Sequence, residues 1–573
     1  MTLEEKVAQL SCIARVPEAP WLKDAPPATA AKELIRRHPN GVGQAGRPSQ
    51  HLDPGAAARL TNALQQALAE ETRLGIPALL NEEGVHGHTA IDATMYPTAI
   101  ALASTWDSAL IEEVFTAVAR EVRARGSNYV YAPVLDIATD PRWGRLEETF
   151  GEDPHLVSTL GLAAVRGLQG DAWEIPSDRV LACAKHFAGH GSPEAGMNAA
   201  PRHAGERKLR EHHLVPFAKV VGEGRVGALM AAYHEIDGVP CHVNSWLLTE
   251  VLRDEWGYQG MVSSDGFGVP QLIDVHHVAE DAEQAARMAL MAGIDCEVPQ
   301  PECFGTLADQ VRSGLVPIEA IDGAVTRVLI AKVRLGLLDE VPLVDVGRAS
   351  EIVNSSEHRK LALRAALRSV TLLTNRESLL PLNTDTYGRI AVIGPNAVDL
   401  HLGGYSREDG PGTSILSGLQ DRFGIGRIEY AEGCRISEGP AGGAEWWADD
   451  VYPSPDADQP ERIAAASAVA ERSDLAILVI GGNEATAREG WALNHLGDRI
   501  SLSLPGEQGA LVEAVTATGT PTVAIVMGGR PLDLTDVAAR CDAVLQVWYP
   551  GQEGGQAVAA ILSGDENPSG KLP

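Results

Sequence analysis

Six reactive side chains in the first half of the chain fall at or just beyond the ends of apolar runs. Glu83 follows the run 74–81, Asp136 closes 129–136, Lys185 and His186 sit near the end of 180–187, Tyr233 closes 227–233, and Asp265 closes 260–265. Two carboxyl groups flanking an acetal carbon can cleave a glycosidic bond, one attacking the anomeric carbon and the other protonating the departing oxygen. Asp265, in GMVSSDGFG, suits the first task, because Gly266 beside it lets backbone or ligand approach closely. Lys185 and Arg145 are expected to hold its pKa down, keeping the attacking group ionised. The second carboxyl is expected from the distant stretch NEATAREGWALNHLGDR (483–499), which offers Glu484 and Glu489. Spacing does not choose between them. Trp491, close by, provides an apolar face for a sugar ring and a means of desolvating the acid.

Such residues need a frame. From about 74 to 300 short β-rich runs alternate with patterns of helical period, among them 111–126 and 281–293. Repeated βα units over this length predict a TIM-like (β/α)8 barrel, which gathers the C-terminal ends of its strands on one face. The pattern breaks near 333–347, and a second α/β segment follows, with apolar strands at 389–394, 475–482, 522–529 and 543–549. Continuously apolar strands suit a sheet covered by helices on both faces. The expected division is a barrel domain over 1–340, a linker over 341–360 and an α/β sandwich over 361–573 that completes the active site. The stretch 433–460, rich in Gly, Pro, Asp and Trp, reads as an irregular insert.

Composition narrows the partners. The 573 residues hold 47 Lys plus Arg against 77 Asp plus Glu, a formal net charge of −30, which disfavours nucleic acid and anionic membranes. An uncharged small-molecule glycoside or oligosaccharide fits. Seven dispersed cysteines without metal or disulfide spacing read as reduced, packed thiols. No window approaches a membrane span, and MTLEEKVAQL opens as an amphipathic helix rather than a leader, so the expected location is the cytoplasm. A secreted or periplasmic chain stripped of its leader would read the same. A homodimer is compatible with this size. The end at NPSGKLP is abrupt, and a longer natural chain is expected.

No cofactor is expected. IAVIGPNA (390–397) lacks the G-x-G-x-x-G of a dinucleotide fold, the many histidines lack HExxH spacing, so no metal is assigned, and no G-x-S-x-G elbow is present.

Taken together, EEGVHG (82–87), DPRWGRLEETFGEDP (140–154), KHFAGHG (185–191), ALMAAYHEIDGVP (228–240), the run 247–266 and WYPGQEGG (548–555) resemble the family 3 glycoside hydrolases. The resemblance extends over essentially the whole chain. It implies a TIM-like barrel followed by an α/β sandwich, removal of terminal β-linked sugars, and retention of configuration. On this likeness Asp265 matches the nucleophile; Glu83, Arg145, Lys185, His186 and Tyr233 match sugar-binding positions, with Met230 lining the same pocket. Asp136 and Arg142 would support them. Glu489, before Gly490 and ahead of Asp498-Arg499, matches the acid/base best, with Glu484 in reserve.

The expected substrate is a β-D-glucoside, with a β-xyloside close behind, because the two differ by one hydroxymethyl contact worth only ~1–3 kcal/mol. Gly266 stands where many relatives carry Trp, which leaves one wall of the subsite open or supplied by another aromatic. KHFAGHG runs into SPEAGMN without the Asp-x-His of the hexosaminidase branch, which makes that activity the weaker reading. A non-catalytic sugar-binding protein is the alternative from a different class.

Overall fold

The computed structural model describes residues 1–13, 26–383, 386–407, 410–438, 451–455, 457–491 and 495–573. Much of the predicted insert at 433–460 lies outside these. The first helix, Leu3–Gln9, begins with a capping box in which Thr2 and Glu5 satisfy each other's backbone N–H groups.

Seven parallel strands follow in neighbour order: β1 (Cys12–Ile13), β2 (Gln44–Gly46), β3 (Leu79–Glu83), β4 (Tyr129–Tyr131), β5 (Leu181–Phe187), β6 (Ala228–Ala231) and β7 (Met261–Ser263). The segment 295–298 completes the curl: Cys296 bridges Ser263 and Glu297 bridges Ser11, both parallel. Cys12 N donates to Glu297 O at 3.2 Å and Ser264 N to Cys296 O at 2.9 Å. The TIM-like reading holds, although the first two strands and this closing piece are too short to announce themselves as apolar runs. Helices Ser108–Ala124 and Pro154–Gln169 pack on the outside. One large core, including Val130, Ala182, Leu229 and Val262, joins strands to helices.

Helix Ile318–Arg334 ends the barrel. Helices Val346–Ile352 and Ser356–Ser369 then occupy the stretch expected to be a linker, so the connection is itself structured. The second sheet runs β8 (Thr371–Asn375), β13 (Ala543–Trp548), β12 (Thr522–Met527), β11 (Leu475–Gly481), β9 (Ile390–Ile393), β10 (Ile428–Ala431), all parallel except the edge strand β8. Alternate residues serve two cores. Val392, Ile477 and Ile525 pack with helices Ile415–Phe423 and Gly554–Ser563 on one face. Ile393, Leu478 and Val526 pack with helices Gln459–Glu471 and Gln508–Thr516 on the other. Period-2 alternation with both faces covered explains why these strands are apolar throughout. All seven cysteines are free and buried.

Candidate active site

The barrel contributes side chains from the C-terminal ends of its strands, where barrel enzymes build their sites. On β3 two consecutive glutamates point opposite ways. Glu82 turns aside to Ser49 N (3.1 Å) and Ser127 Oγ (2.9 Å). Glu83 faces the pocket, accepting from Arg47 Nη2 at 2.6 Å and from Lys185 Nζ at 3.1 Å. Burial would raise the Glu83 carboxyl, but the two cations outweigh it and hold it below its ordinary range.

His186, next along β5, reaches Asp136: its Nδ1 lies 2.7 Å and its backbone N 3.2 Å from Asp136 Oδ2. Its Nε2 lies 2.9 Å from Arg145 Nη2. A guanidinium only donates, so Nε2 must accept, which puts the imidazole proton on Nδ1, directed at Asp136. Burial, then the charge of Arg145, keeps this ring neutral by pushing its pKa well below the usual value.

Arg145 lies in the short 3-10 turn Gly144–Glu148. It donates to both oxygens of Glu148 (2.8 and 2.9 Å) and, through Nη1, to Glu489 Oε1 at 3.0 Å. Asp265 follows β7. Its Oδ1 accepts Gly266 N–H at 2.7 Å, and its own N–H donates to His242 Nε2 at 3.1 Å. Tyr233 Oη donates to Gly266 O at 2.9 Å, which steadies the same turn. Among the described residues Asp265 Oδ2 has no hydrogen-bond partner, and it lies 3.6 Å from His186 Nε2, which has no proton to give it. Sequence reasoning expected the neighbouring cations to hold Asp265 low. They do pull it down, but burial prevails and, with Glu489, pushes the carboxyl up to about 7. Burial likewise raises Asp136 to about 7.

The second domain supplies the opposite wall from two loops. They leave the C-terminal ends of the adjacent strands β9 and β11, whose following helices lie on opposite faces of the sheet. In open α/β sheets such a divergence is where ligand crevices form. The loop after β11 is fastened to the barrel by Asp498, which accepts Gly144 N (2.8 Å) and Asn198 N (2.7 Å), and by Arg530, which donates to Arg142 O (2.6 Å) and Thr486 O (2.9 Å). Gly144 is required here, since a Cβ would overlap the Arg488 carbonyl. The result brings Glu489 to Arg145 with 18% of its side chain exposed. Glu484 turns elsewhere: it accepts from His401 Nδ1 (2.8 Å), Leu402 N (2.9 Å) and Gly403 N (3.2 Å) and is buried. The loop after β9 sets Tyr405 against Lys185, whose Nζ lies 4.8 Å from the ring centroid.

The other sequence-selected residues fall outside this cluster of contacts. Met230 is buried in the barrel core, paired in register with Ser263. Trp491 is half-exposed with the Arg488 guanidinium 5.9 Å from its ring. Arg142 pairs with Asp140. Sequence reasoning missed Arg47, Glu148 and Tyr405. Glu148 had a signal, one turn beyond Arg145; the other two had none. Among the described residues, no group of three or more His, Cys, Asp or Glu is arranged to hold a metal ion.

A parallel barrel and a doubly covered α/β sheet that share one carboxylate-rich seam define a two-domain glycoside hydrolase. The sequence profiles agree: that of the glycosyl hydrolase family 3 N-terminal domain matches residues 2–331 and that of its C-terminal domain residues 370–573. The chain belongs to glycosyl hydrolase family 3. It is 38% identical over 537 residues to a Formosa agariphila protein named beta-xylosidase, covering 90% of this chain and 70% of that one. It is 33% identical over 587 residues to the periplasmic beta-glucosidase of Salmonella typhimurium, covering 100% and 72%. The solved structure of a β-glucosidase from Erythrobacter marinus superimposes with a TM-score of 0.94 at 40% identity, covering 100% of this chain and 76% of that one. A mutant Listeria innocua beta-glucosidase in complex with laminaribiose gives 0.86 at 29%, covering 100% and 74%.

Proposed function

We propose that the chain is a retaining exo-β-glycosidase in which Asp265 attacks the anomeric carbon and Glu489 serves as acid/base. One observation carries this. Two carboxyls from different domains flank the same Arg145–His186 pair, and the barrel's carboxyl keeps one oxygen anchored by Gly266 N–H and the other unpartnered among the described residues. In the first step Asp265 Oδ2 bonds to the anomeric carbon as the glycosidic C–O bond breaks, and Glu489 gives its proton to the departing oxygen. In the second, Glu489 takes a proton from water, whose oxygen displaces Asp265 with net retention. Glu83, Arg145, Lys185, His186 and Tyr233 bind the sugar; Met230 backs the pocket and Trp491 offers a face at its rim. Glu83 would accept sugar hydroxyl protons and Lys185 would donate to hydroxyl oxygens, and such bonds strengthen as the ring flattens.

The preferred sugar in this reading is β-D-glucose, released from the non-reducing end of short oligosaccharides or simple glycosides. A β-xyloside preference is the second reading, favoured by the Formosa agariphila relative's name. Trapping with 2-fluoro glycosides tests both: the label should map to Asp265, and the faster-reacting of the gluco and xylo reagents ranks the sugars. A label elsewhere, or inverted products, would end the proposal. Among the described residues no helix is long and apolar enough to cross a membrane. A cytoplasmic location is our proposal, and fractionation of the native host would test it.

A further inference from the structure

Glu147 stands between Leu146 and Glu148 in the turn that carries Arg145, yet its carboxyl points away from the pocket into the domain seam. There it meets glycines of the second domain. Gly404 N donates to its Oε1 at 2.8 Å, and its buried Oε2 has no hydrogen-bond partner among the described residues. A Cβ added to Gly404 would stand 2.5 Å from Oε1, and one added to Gly529 2.6 Å from Oε2. Among the described residues no cation forms an ion pair with it. A buried acid in such surroundings is expensive to keep unless it has a task.

The backbone it grips is held at each neighbouring group. Glu484 takes Leu402 N and Gly403 N, His86 Nε2 lies 2.8 Å from Gly404 O, and Thr89 Oγ1 donates to Tyr405 O at 2.7 Å. Tyr405 itself has φ +54°, a left-handed conformation that a tyrosine keeps only when its surroundings enforce it.

We propose that Glu147 is a positioning residue: it latches the Gly403–Tyr405 backbone onto the barrel and thereby holds the Tyr405 ring against Lys185, at the wall of the sugar pocket. The inference rests on the site assignment under Proposed function. The charged groups facing the carboxyl are Glu148 on its own turn, and Glu484 and Arg530 on the second domain. Burial, with Glu148 and Glu484, drives the acid well above its ordinary range, against the Gly404 N–H and Arg530. The Gly404 N–H bond can be accepted by the carboxyl in either protonation state.

The test is steady-state kinetics on a nitrophenyl β-glycoside, with melting temperatures, for Glu147→Gln, Glu147→Ala, Tyr405→Ala and the Glu147→Ala/Tyr405→Ala pair. Glu147→Gln keeps an acceptor oxygen and cannot ionise. Its KM should stay near the wild-type value, because the oxygen that accepts the Gly404 N–H is retained. Glu147→Ala should raise KM about tenfold with little change in kcat, the scale of one buried hydrogen bond. In the Tyr405→Ala background the same change should add less than about twofold, because the two act as one unit. Independent effects in the double variant, or a KM for Glu147→Gln as high as that of Glu147→Ala, would overturn the proposal. Full turnover by Asp265→Asn would overturn the site reading instead, whatever the coupling between Glu147 and Tyr405.

Discussion

Arg145 of the barrel donates through Nη1 to Glu489 of the second domain at 3.0 Å, while its other nitrogens grip Glu148 at 2.8 and 2.9 Å. One guanidinium thus spans the domain boundary, and its planar fork suits three anchored contacts. The contact between Arg145 and Glu489 exists only when the two domains are docked.

Replacing Asp265 by Asn preserves shape and removes the attacking charge. The expected loss in kcat is about four orders of magnitude or more, with folding intact by circular dichroism. Undiminished turnover would show that another group attacks.

Glu489→Ala should abolish activity on substrates with poor leaving groups, while aryl glycosides with good ones retain part of it and azide restores more. Glu484→Ala should behave differently. It strands His401 and the Leu402 and Gly403 N–H groups in a buried site, so the melting temperature should fall and azide should not help. Azide rescue of Glu484→Ala would reverse the two roles.

Glu148→Ala removes the bidentate partner of a fully buried arginine. Breaking a buried pair this way costs about 3–5 kcal/mol, and Glu489 shields Arg145 only in part. Chemical denaturation should show the loss, together with a fall in kcat as Arg145 loses its aim. A variant as stable as wild type would mean that Arg145 is held by its other contacts.

The acidic limb of kcat/KM reports the groups that must be deprotonated in the free enzyme. Asp265 attacks when ionised and burial pushes it up to about 7, so kcat/KM should rise with pH through that region. Lys185→Met removes a charge that lowers the Asp265 value, and the limb should move to higher pH. The sign for stability is opposite. A carboxyl raised on folding favours the folded state most at low pH, and that contribution is lost as pH rises through about 7. Asp136 titrates in the same range and is coupled to Asp265, so the limb belongs to the site as a whole.

Trp491 is 47% exposed, so Trp491→Ala should leave the melting temperature nearly unchanged. A rise in KM for aryl glycosides by several-fold would place the ring against the aglycone. An unchanged KM would remove it from the binding surface.

The sequence alone determined what is local or periodic. Alternating apolar runs marked the strands, polar residues after several of those runs marked the candidate site, and Asp265 stood out because a strand and a glycine bracket it. Tertiary structure decided what depends on distant segments meeting. Glu82 and Glu83 are the same residue type side by side, and only the strand's facing turns one to Ser49 and the other to Lys185. Glu484 and Glu489 share a loop, and only tertiary packing sends one to the loop at 401–403 of its own domain and the other to Arg145 of the barrel, 344 residues away. The height of the Asp265 pKa was also invisible, because cations can be counted along a chain but burial cannot. Cationic neighbours pull Asp265 down, and burial decides against them, so even the direction of the shift depends on how much water the fold removes.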